Sequence, residues 1–231
     1  MIRVLDLLDP LLNRPFSISF INRKEGWLDI LYRIVGKGTE ILSQRKIGEK
    51  LKILAPLGHG YPKIDRNGAS IFLIGGGIGI APLLSFFETV NPGIHALLWG
   101  IKSSSEYVDI NELYPTLRDV TLQLSSEDGA IGTKGTVIDL FKTYIKSNNQ
   151  TNAIVFACGP VKMLYALYKL CGDMKLPLFV SVESRMACGM GYCFGCTLPR
   201  FSGGYLKVCQ DGPVFDSASI DWEKVVNDDY C

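Results

Sequence analysis

The apolar positions along this chain change their period twice. Over residues 1–64 they come in short runs, "FSISFI" (16–21), "LDILYRIV" (28–35) and "EKLKILAPL" (49–57), broken by Gly and Asn turns. Short runs between turn residues predict an antiparallel barrel or sandwich. From about residue 66 the runs become continuously apolar: "SIFLIGG" (70–76), "IHALLWG" (94–100), "VTLQLS" (120–125) and "AIVFACG" (153–159), with "LFVSV" (178–182) as a fifth. Such runs mark strands covered on both faces. Helical spacing separates some of them, near 81–89, 136–146 and 161–174. Strand and helix in alternation predict a doubly wound parallel α/β sheet. Beyond about residue 184 the chain is rich in Gly and Cys with little periodicity. Something other than a hydrophobic core is expected to organise that segment.

Composition narrows the partners. The 231 residues carry 24 Lys and Arg against 23 Asp and Glu, without a long basic run. Nucleic acid and anionic membranes need a concentrated positive face, so neither is expected as a partner. Residues 69–87 contain no charge, but four glycines in positions 75–79 and Pro82 make a poor helix, so a strand, a turn and a helix are expected there instead of a membrane span. "MIRVLDLLDPLL" lacks the pattern of a secretion signal. An odd cysteine count of seven, without secretion, points to a reducing cytoplasm and to thiolates used for metal.

Four of those cysteines form the sharpest pattern. Cys188-x4-Cys193-x2-Cys196, followed by Cys209, is the spacing of a plant-type [2Fe–2S] loop. Gly189, Gly191 and Gly195 are expected to take positive φ and turn backbone amides toward sulfur. The alternative, a zinc-stapled binding module, more often shows paired C-x2-C knuckles, and only one such pair is present. Cys171 reads as a packed helix residue and Cys231 as a terminal thiol.

The glycines of "FLIGGGIGIAPLL", Gly75, Gly76, Gly77 and Gly79, follow a strand and open a helix. Backbone amides there can approach a pyrophosphate, although the spacing is not G-x-G-x-x-G and a purely structural turn stays open. Cys158, Gly159 and Pro160 end a later strand on the carboxyl side, where open sheets bind ligands. Pro160 suits a first helical position. Cys158 alone is equally an inert buried thiol. Lys102 and Ser103 to Ser105 read as a solvated loop or as a site for a 2′-phosphate. Arg14 in "RPFS" offers a planar cation for phosphate, and Gly38-Thr39 in "GKGT" an anion site at a helix start.

Taken together and in this order, "RPFS", "GKGT", "GGGIGIAPLL", "CGP" and "ESRMACGMGYCFGC…VCQDGPVF" resemble the ferredoxin reductase superfamily. More narrowly, they resemble the electron-transfer subunits of class 1B dihydroorotate dehydrogenase, over essentially the whole chain. The resemblance implies an FAD-binding β-barrel over 1–64, an NAD-binding α/β domain over 65–177 and a [2Fe–2S] domain over 178–231. It places Arg14, Pro15, Phe16, Ser17, Leu31, Tyr32, Arg33, Gly38 and Thr39 at FAD. Gly75, Gly76, Gly77, Gly79, Cys158, Gly159 and Pro160 would face NAD, and Cys188, Cys193, Cys196 and Cys209 would ligate the cluster. It implies a partner, an FMN-containing catalytic dihydroorotate dehydrogenase subunit in a hetero-oligomer, with electrons passing through the cluster and FAD to NAD+ in pyrimidine biosynthesis. No acid–base residue is implied. A flavin and iron–sulfur subunit of the sulfide dehydrogenase or ferredoxin:NADP oxidoreductase type shares similar motifs. Two features depart from the pattern: Tyr192 and Phe194 are bulky between the ligands, and the first barrel strands before "RPFS" are missing, so the barrel is expected to be incomplete.

Overall fold

The computed structural model describes residues 1–5, 9–65, 67–90, 94–117 and 120–227; Cys231 lies outside them. The front segment holds β1 (Ile2–Arg3), β2 (Phe20–Asn22), β3 (Trp27–Asp29), α1 (Lys37–Ser43) and β4 (Lys52–Ile53). β1 pairs with β4 and β2 with β3, both antiparallel. The three front runs therefore contribute strands of only two or three residues. Positions 15–18 and 31–35 carry no ladder partner, and most of them border the cavity described below.

The middle of the chain follows the expected alternation closely. It runs through β5 (Ser70–Gly76), α2 (Ile80–Val90), β6 (Ile94–Ile101), α3 (Ile110–Leu113), β7 (Leu122–Ser126), β8 (Thr133–Lys134), α4 (Val137–Ser147), β9 (Ala153–Cys158), α5 (Val161–Met174) and β10 (Leu178–Ser181). α4 starts where Thr136 and Asp139 exchange side-chain-to-amide hydrogen bonds at 3.3 Å, a capping box that satisfies two orphan donors. α5 buries Leu164, Leu167 and Cys171, the i, i+3, i+7 stripe of one helix face, and ends where Lys175 turns left-handed at φ 55°.

Five further elements follow: the β11 (Thr197–Pro199) and β12 (Tyr205–Lys207) hairpin, α6 (Val208–Asp211), β13 (Val214–Asp216) and α7 (Trp222–Asn227). The large sheet has the order β13-β10-β9-β5-β6-β7-β8. All its pairs are parallel except β13, which lies antiparallel against β10. The order reverses between β5 and β9, which makes the crevice at their carboxyl ends the topological switch point.

Each face of this sheet has its own core. One joins Phe72, Phe141, Leu164 and Val180 to Leu198, Leu206, Val208, Phe215, Ile220 and Trp222 of the C-terminal segment. That segment is therefore organised in part by an apolar core, contrary to the expectation from its weak periodicity. The single apolar positions at strand pairs and helix starts were too sparse to show a period. The other face packs α2 and Phe156 against Phe20, Leu31 and Tyr61 of the front segment. There Tyr114 Oη donates to the buried Ser19 Oγ at 2.9 Å, tying the residue before β2 to the end of α3. No helix among the described residues is long and apolar enough to cross a membrane.

Candidate functional site

All three segments meet around one cavity of about 570 Å³. Arg14, Pro15, Phe16, Ser17, Leu31, Tyr32, Arg33 and Thr39 line one side of it. Phe16 and Tyr32 meet edge to face with ring centroids 5.6 Å apart. Gly38 sits behind this wall, where a Cβ would lie 2.8 Å from Arg14 Nε. Its lack of a side chain is what lets the Arg14 guanidinium lie flat against the start of α1. The Thr39 hydroxyl is used locally, accepting from the amides of Val35 and Gly36 at 2.9 and 3.2 Å. Arg33 Nη1 reaches across to Glu106 Oε1 at 2.8 Å, an ion pair between the front segment and the loop after β6.

Other walls were not legible as site residues. Leu57 to Tyr61 and Ser181 to Ser184 line the cavity, the latter directly after the fifth parallel strand. Their place at a strand's carboxyl end was the available signal. The Tyr61 ring stacks on Phe86 at 4.3 Å, and its hydroxyl is buried without a hydrogen-bond partner of normal geometry. Burial, and then the neighbouring Cys158, pushes that phenol well above its usual range.

Gly75 to Gly79 and Cys158 to Pro160 lie side by side at the switch point, after adjacent strands β5 and β9. Much of the glycine requirement here is close packing of one loop on the other. A Cβ on Gly79 would fall 2.3 Å from the Cys158 carbonyl oxygen, and one on Gly159 would fall 3.0 Å from Gly76 Cα. A Cβ on Gly76 would strike Met163 Sδ at 2.5 Å, and Gly75 lies tight against Ile80. Gly77 differs: its φ is +54° and its nearest neighbour in the Cβ direction, Glu106 Oε2, is 3.9 Å away. Gly77 is the one whose open face leaves room for a ligand. Pro160 is the N-cap of α5, with ψ 142°, one position before the first helical residue Val161 and not at it as expected.

The Cys158 thiol is pushed up to about 12 by burial first and then by the Glu183 carboxylate. Burial alone takes Cys171 up to about 12. Unfolded thiols titrate near 9, so above that pH the unfolded chain releases two protons that the folded chain keeps. The stability these groups contribute is complete below pH ~9 and is lost as pH rises toward ~12. The urea midpoint should hold steady to about pH 8 and fall across that window. Iodoacetamide at pH 8 should leave both residues unmodified in the native chain, as peptide mass mapping would show; rapid labelling of either would contradict the burial.

The cysteine loop carries the clearest donor geometry. Each of the four sulfurs accepts a backbone amide: Cys188 from Met190 at 3.4 Å, Cys193 from Gly195 at 3.5 Å, Cys196 from Cys209 at 3.4 Å, and Cys209 from Gly191 at 3.2 Å. Gly189 and Gly191 take positive φ of 70° and 79°. Gly195 does not; Phe194 takes the left-handed conformation in its place, at φ 56°. For a non-glycine residue that conformation costs about 1–3 kcal/mol.

Cys188 neighbours Cys193 and Cys196 neighbours Cys209, close enough for Cys188 to act electrostatically on Cys209. Amides, led by Met190, lower the Cys188 thiol to about 6, whereas burial raises Cys209 to about 11. Among the described residues no group of three or more His, Cys, Asp or Glu closes on a single ion position. A tetrahedral zinc with Zn–S of about 2.3 Å would need all four sulfurs within ~3.8 Å of one another. Two pairs suit two irons, each taking two thiolates, and the amides suit a cluster whose sulfurs carry extra charge.

Residues 183–221 match the iron–sulfur cluster binding domain of dihydroorotate dehydrogenase B, and residues 73–169 match an oxidoreductase NAD-binding domain. A dihydroorotate dehydrogenase B (NAD(+)) electron transfer subunit of Clostridium acetobutylicum is 37% identical over 221 residues, covering 96% of this chain and 82% of its own length. The counterpart from Bacillus pumilus is 37% identical over 224 residues, covering 95% of this chain and 83% of that protein. The chain belongs to the dihydroorotate dehydrogenase B electron transfer subunits.

Among solved structures, the NADH-dependent reduced ferredoxin-NADP oxidoreductase, studied for flavin-based electron bifurcation, superposes with a TM-score of 0.80 at 25% identity. It covers 94% of this chain and 76% of that one. A Plasmodium falciparum ferredoxin-NADP+ reductase shares the fold at a TM-score of 0.56 and 18% identity. The ferredoxin-reductase-like architecture expected from the sequence is therefore the architecture of this electron transfer subunit family. Within it the cavity joins the "RPFS" and "LYR" segments to the cluster loop, because Gly189, Val208 and Cys209 also line it.

Proposed function

We propose that this chain carries electrons from a catalytic, FMN-containing dihydroorotate dehydrogenase subunit, through a [2Fe–2S] cluster and FAD, to NAD+. One observation carries this reading: a single cavity is lined together by Arg14 and Thr39, by Cys209, and by Ile78, Ala81 and Pro82 beside the switch point. FAD would supply the exchange between single electrons and a hydride that neither other carrier performs.

The chain's own part is positioning. Arg14 offers its guanidinium to a diphosphate, with Gly38 keeping it seated, while Pro15, Phe16, Ser17, Leu31, Tyr32 and Arg33 present a largely apolar wall for a planar ring. Gly77 leaves an open face for the nicotinamide nucleotide at the switch point, and the Gly79–Cys158 packing fixes where that face lies. Tyr61 and Cys158 stay protonated, and apolar contacts such as Leu57 and Met186 shield the ring site from water. Cys188, Cys193, Cys196 and Cys209 would hold the cluster, with 178–231 as its segment, 65–177 as the nucleotide segment and 1–64 as the flavin segment.

Anaerobic purification followed by iron, acid-labile sulfide and flavin quantitation tests the carriers. Adding a catalytic subunit, dihydroorotate and NAD+ tests the route through NADH formation. A colourless preparation holding zinc would end the redox reading. A second reading, service to a ferredoxin:NADP-type enzyme, draws on the 0.80 TM-score neighbour; NADH formed without dependence on dihydroorotate would favour it.

Gly38→Ala should weaken FAD binding at least about tenfold, because its Cβ needs the space of Arg14 Nε and a displaced charge-assisted contact is worth roughly 1.5–3 kcal/mol. The fold should hardly notice, since Gly38 lies in an ordinary helical turn. Flavin fluorescence titration of the apoprotein, alongside its thermal midpoint, checks both halves.

A further inference from the structure

Lys207 has no role in the reading above, yet its ammonium is seated with some care beside the cysteine loop. Nζ donates to the Gly191 carbonyl oxygen at 3.4 Å and stands 4.8 Å from the centroid of the Phe194 ring. Phe194 is the residue held in the left-handed conformation, φ 56°, between Cys193 and Gly195, and that conformation places its ring over the ammonium. Among the described residues no carboxylate lies within ion-pair distance of Nζ. The nearby Asp211 accepts the Lys207 backbone amide at 2.6 Å instead.

Gly191 is the point where this charge reaches sulfur. Its own amide donates to Cys209 Sγ at 3.2 Å. Its carbonyl is the one that Lys207 contacts. One ammonium thus stands on the residue whose amide holds Cys209, so its field falls directly on that sulfur.

We infer that Lys207 is a positioning residue that raises the reduction potential of the cluster held by Cys188, Cys193, Cys196 and Cys209. The inference rests on the cluster assignment made above. Reduction adds one negative charge to the cluster, so a fixed cation beside the loop stabilises the reduced form more than the oxidised one. The effect is electrostatic and leaves the four ligands unchanged. Phe194 supplies the seat, a face of negative quadrupole toward which an ammonium is drawn.

The test is an anaerobic redox titration of the full chain, loaded with flavin and cluster, following the electron paramagnetic resonance signal of the reduced cluster. Lys207→Gln should keep its iron and lower the midpoint, Lys207→Glu should lower it further, and Lys207→Arg should stay near wild type. A loop-bracing role would instead move thermal stability while leaving the midpoints of Gln and Arg variants alike, and that equality overturns the inference. Should the Gln variant fail to load, Phe194→Ala, which unseats the ammonium without removing it, should shift the midpoint downward; a wild-type midpoint there overturns it as well. If the unmodified chain shows iron in no such cluster, the cluster assignment and this inference fall together, an outcome distinct from an unshifted midpoint.

Discussion

Replacing Cys196 by Ser should abolish transfer between the catalytic subunit and NAD+ while leaving the flavin in place. Cys196 is almost fully buried, at 2% exposure, and its sulfur accepts the Cys209 amide at 3.4 Å. A serine hydroxyl can accept the same amide, so the fold loses little. What it cannot supply is a soft thiolate at the same reach. Changes even to groups behind metal ligands cost roughly 10–100-fold, so loss of a ligand should reduce dihydroorotate-linked NADH formation by at least about 100-fold. Iron content should drop with it, and NADH oxidation by an artificial dye, which needs only the flavin and nucleotide sites, should persist. Retained iron in this variant would refute the ligand set. Loss of dye activity as well would mean that the fold, and not the cluster alone, had failed.

Gly79→Ala should have the second largest effect, and of a different kind. The added carbon would lie 2.3 Å from the Cys158 carbonyl oxygen and 2.6 Å from its carbonyl carbon, both backbone atoms of a buried central strand. Neither can rotate away as a side chain would, so either the start of α2 or the end of β9 must shift. Overpacking of this type costs roughly 1–3 kcal/mol, and rigid neighbours put it at the upper end. For a chain of this size that is a drop of about 6–12 °C in the thermal midpoint. The displaced pair of loops is the proposed nucleotide site, so dye reduction by NADH should fall more steeply than stability does, with a raised KM. A variant with wild-type melting and kinetics would show that the two loops do not pack as described.

The parallel strands were legible almost to the residue because a strand covered on both faces must be apolar throughout. "SIFLIGG" and β5 share the same limits, 70–76. The front strands were over-read for the opposite reason. Alternation in "FSISFI" and "LDILYRIV" records a surface half covered by apolar contact, and for Phe16 and Leu31 that surface is a cavity wall. A ladder needs a neighbouring backbone, which a local pattern does not reveal. The cysteine spacing was legible as a candidate ligand set, whereas the exchange of roles between Gly195 and Phe194 was not, since glycine's freedom is only permission to turn left-handed. Tyr61, Ser181 and Glu183 were missed because each reaches the cavity through long-range packing. Glu183 shows the consequence: burial raises its carboxyl and only Arg33, 150 positions away in sequence, draws it back.

The antiparallel strand β13 has a mechanical consequence. Phe179, Val180 and Ser181 each find a partner in it, so residues just after the cysteine loop are stitched to the edge of the nucleotide sheet. The electron carrier of this chain is then no tethered arm that swings between donor and acceptor. Its distance to the cavity beside it is set by the scaffold, and electron transfer within the chain should proceed at a rate indifferent to the viscosity of the surrounding solvent.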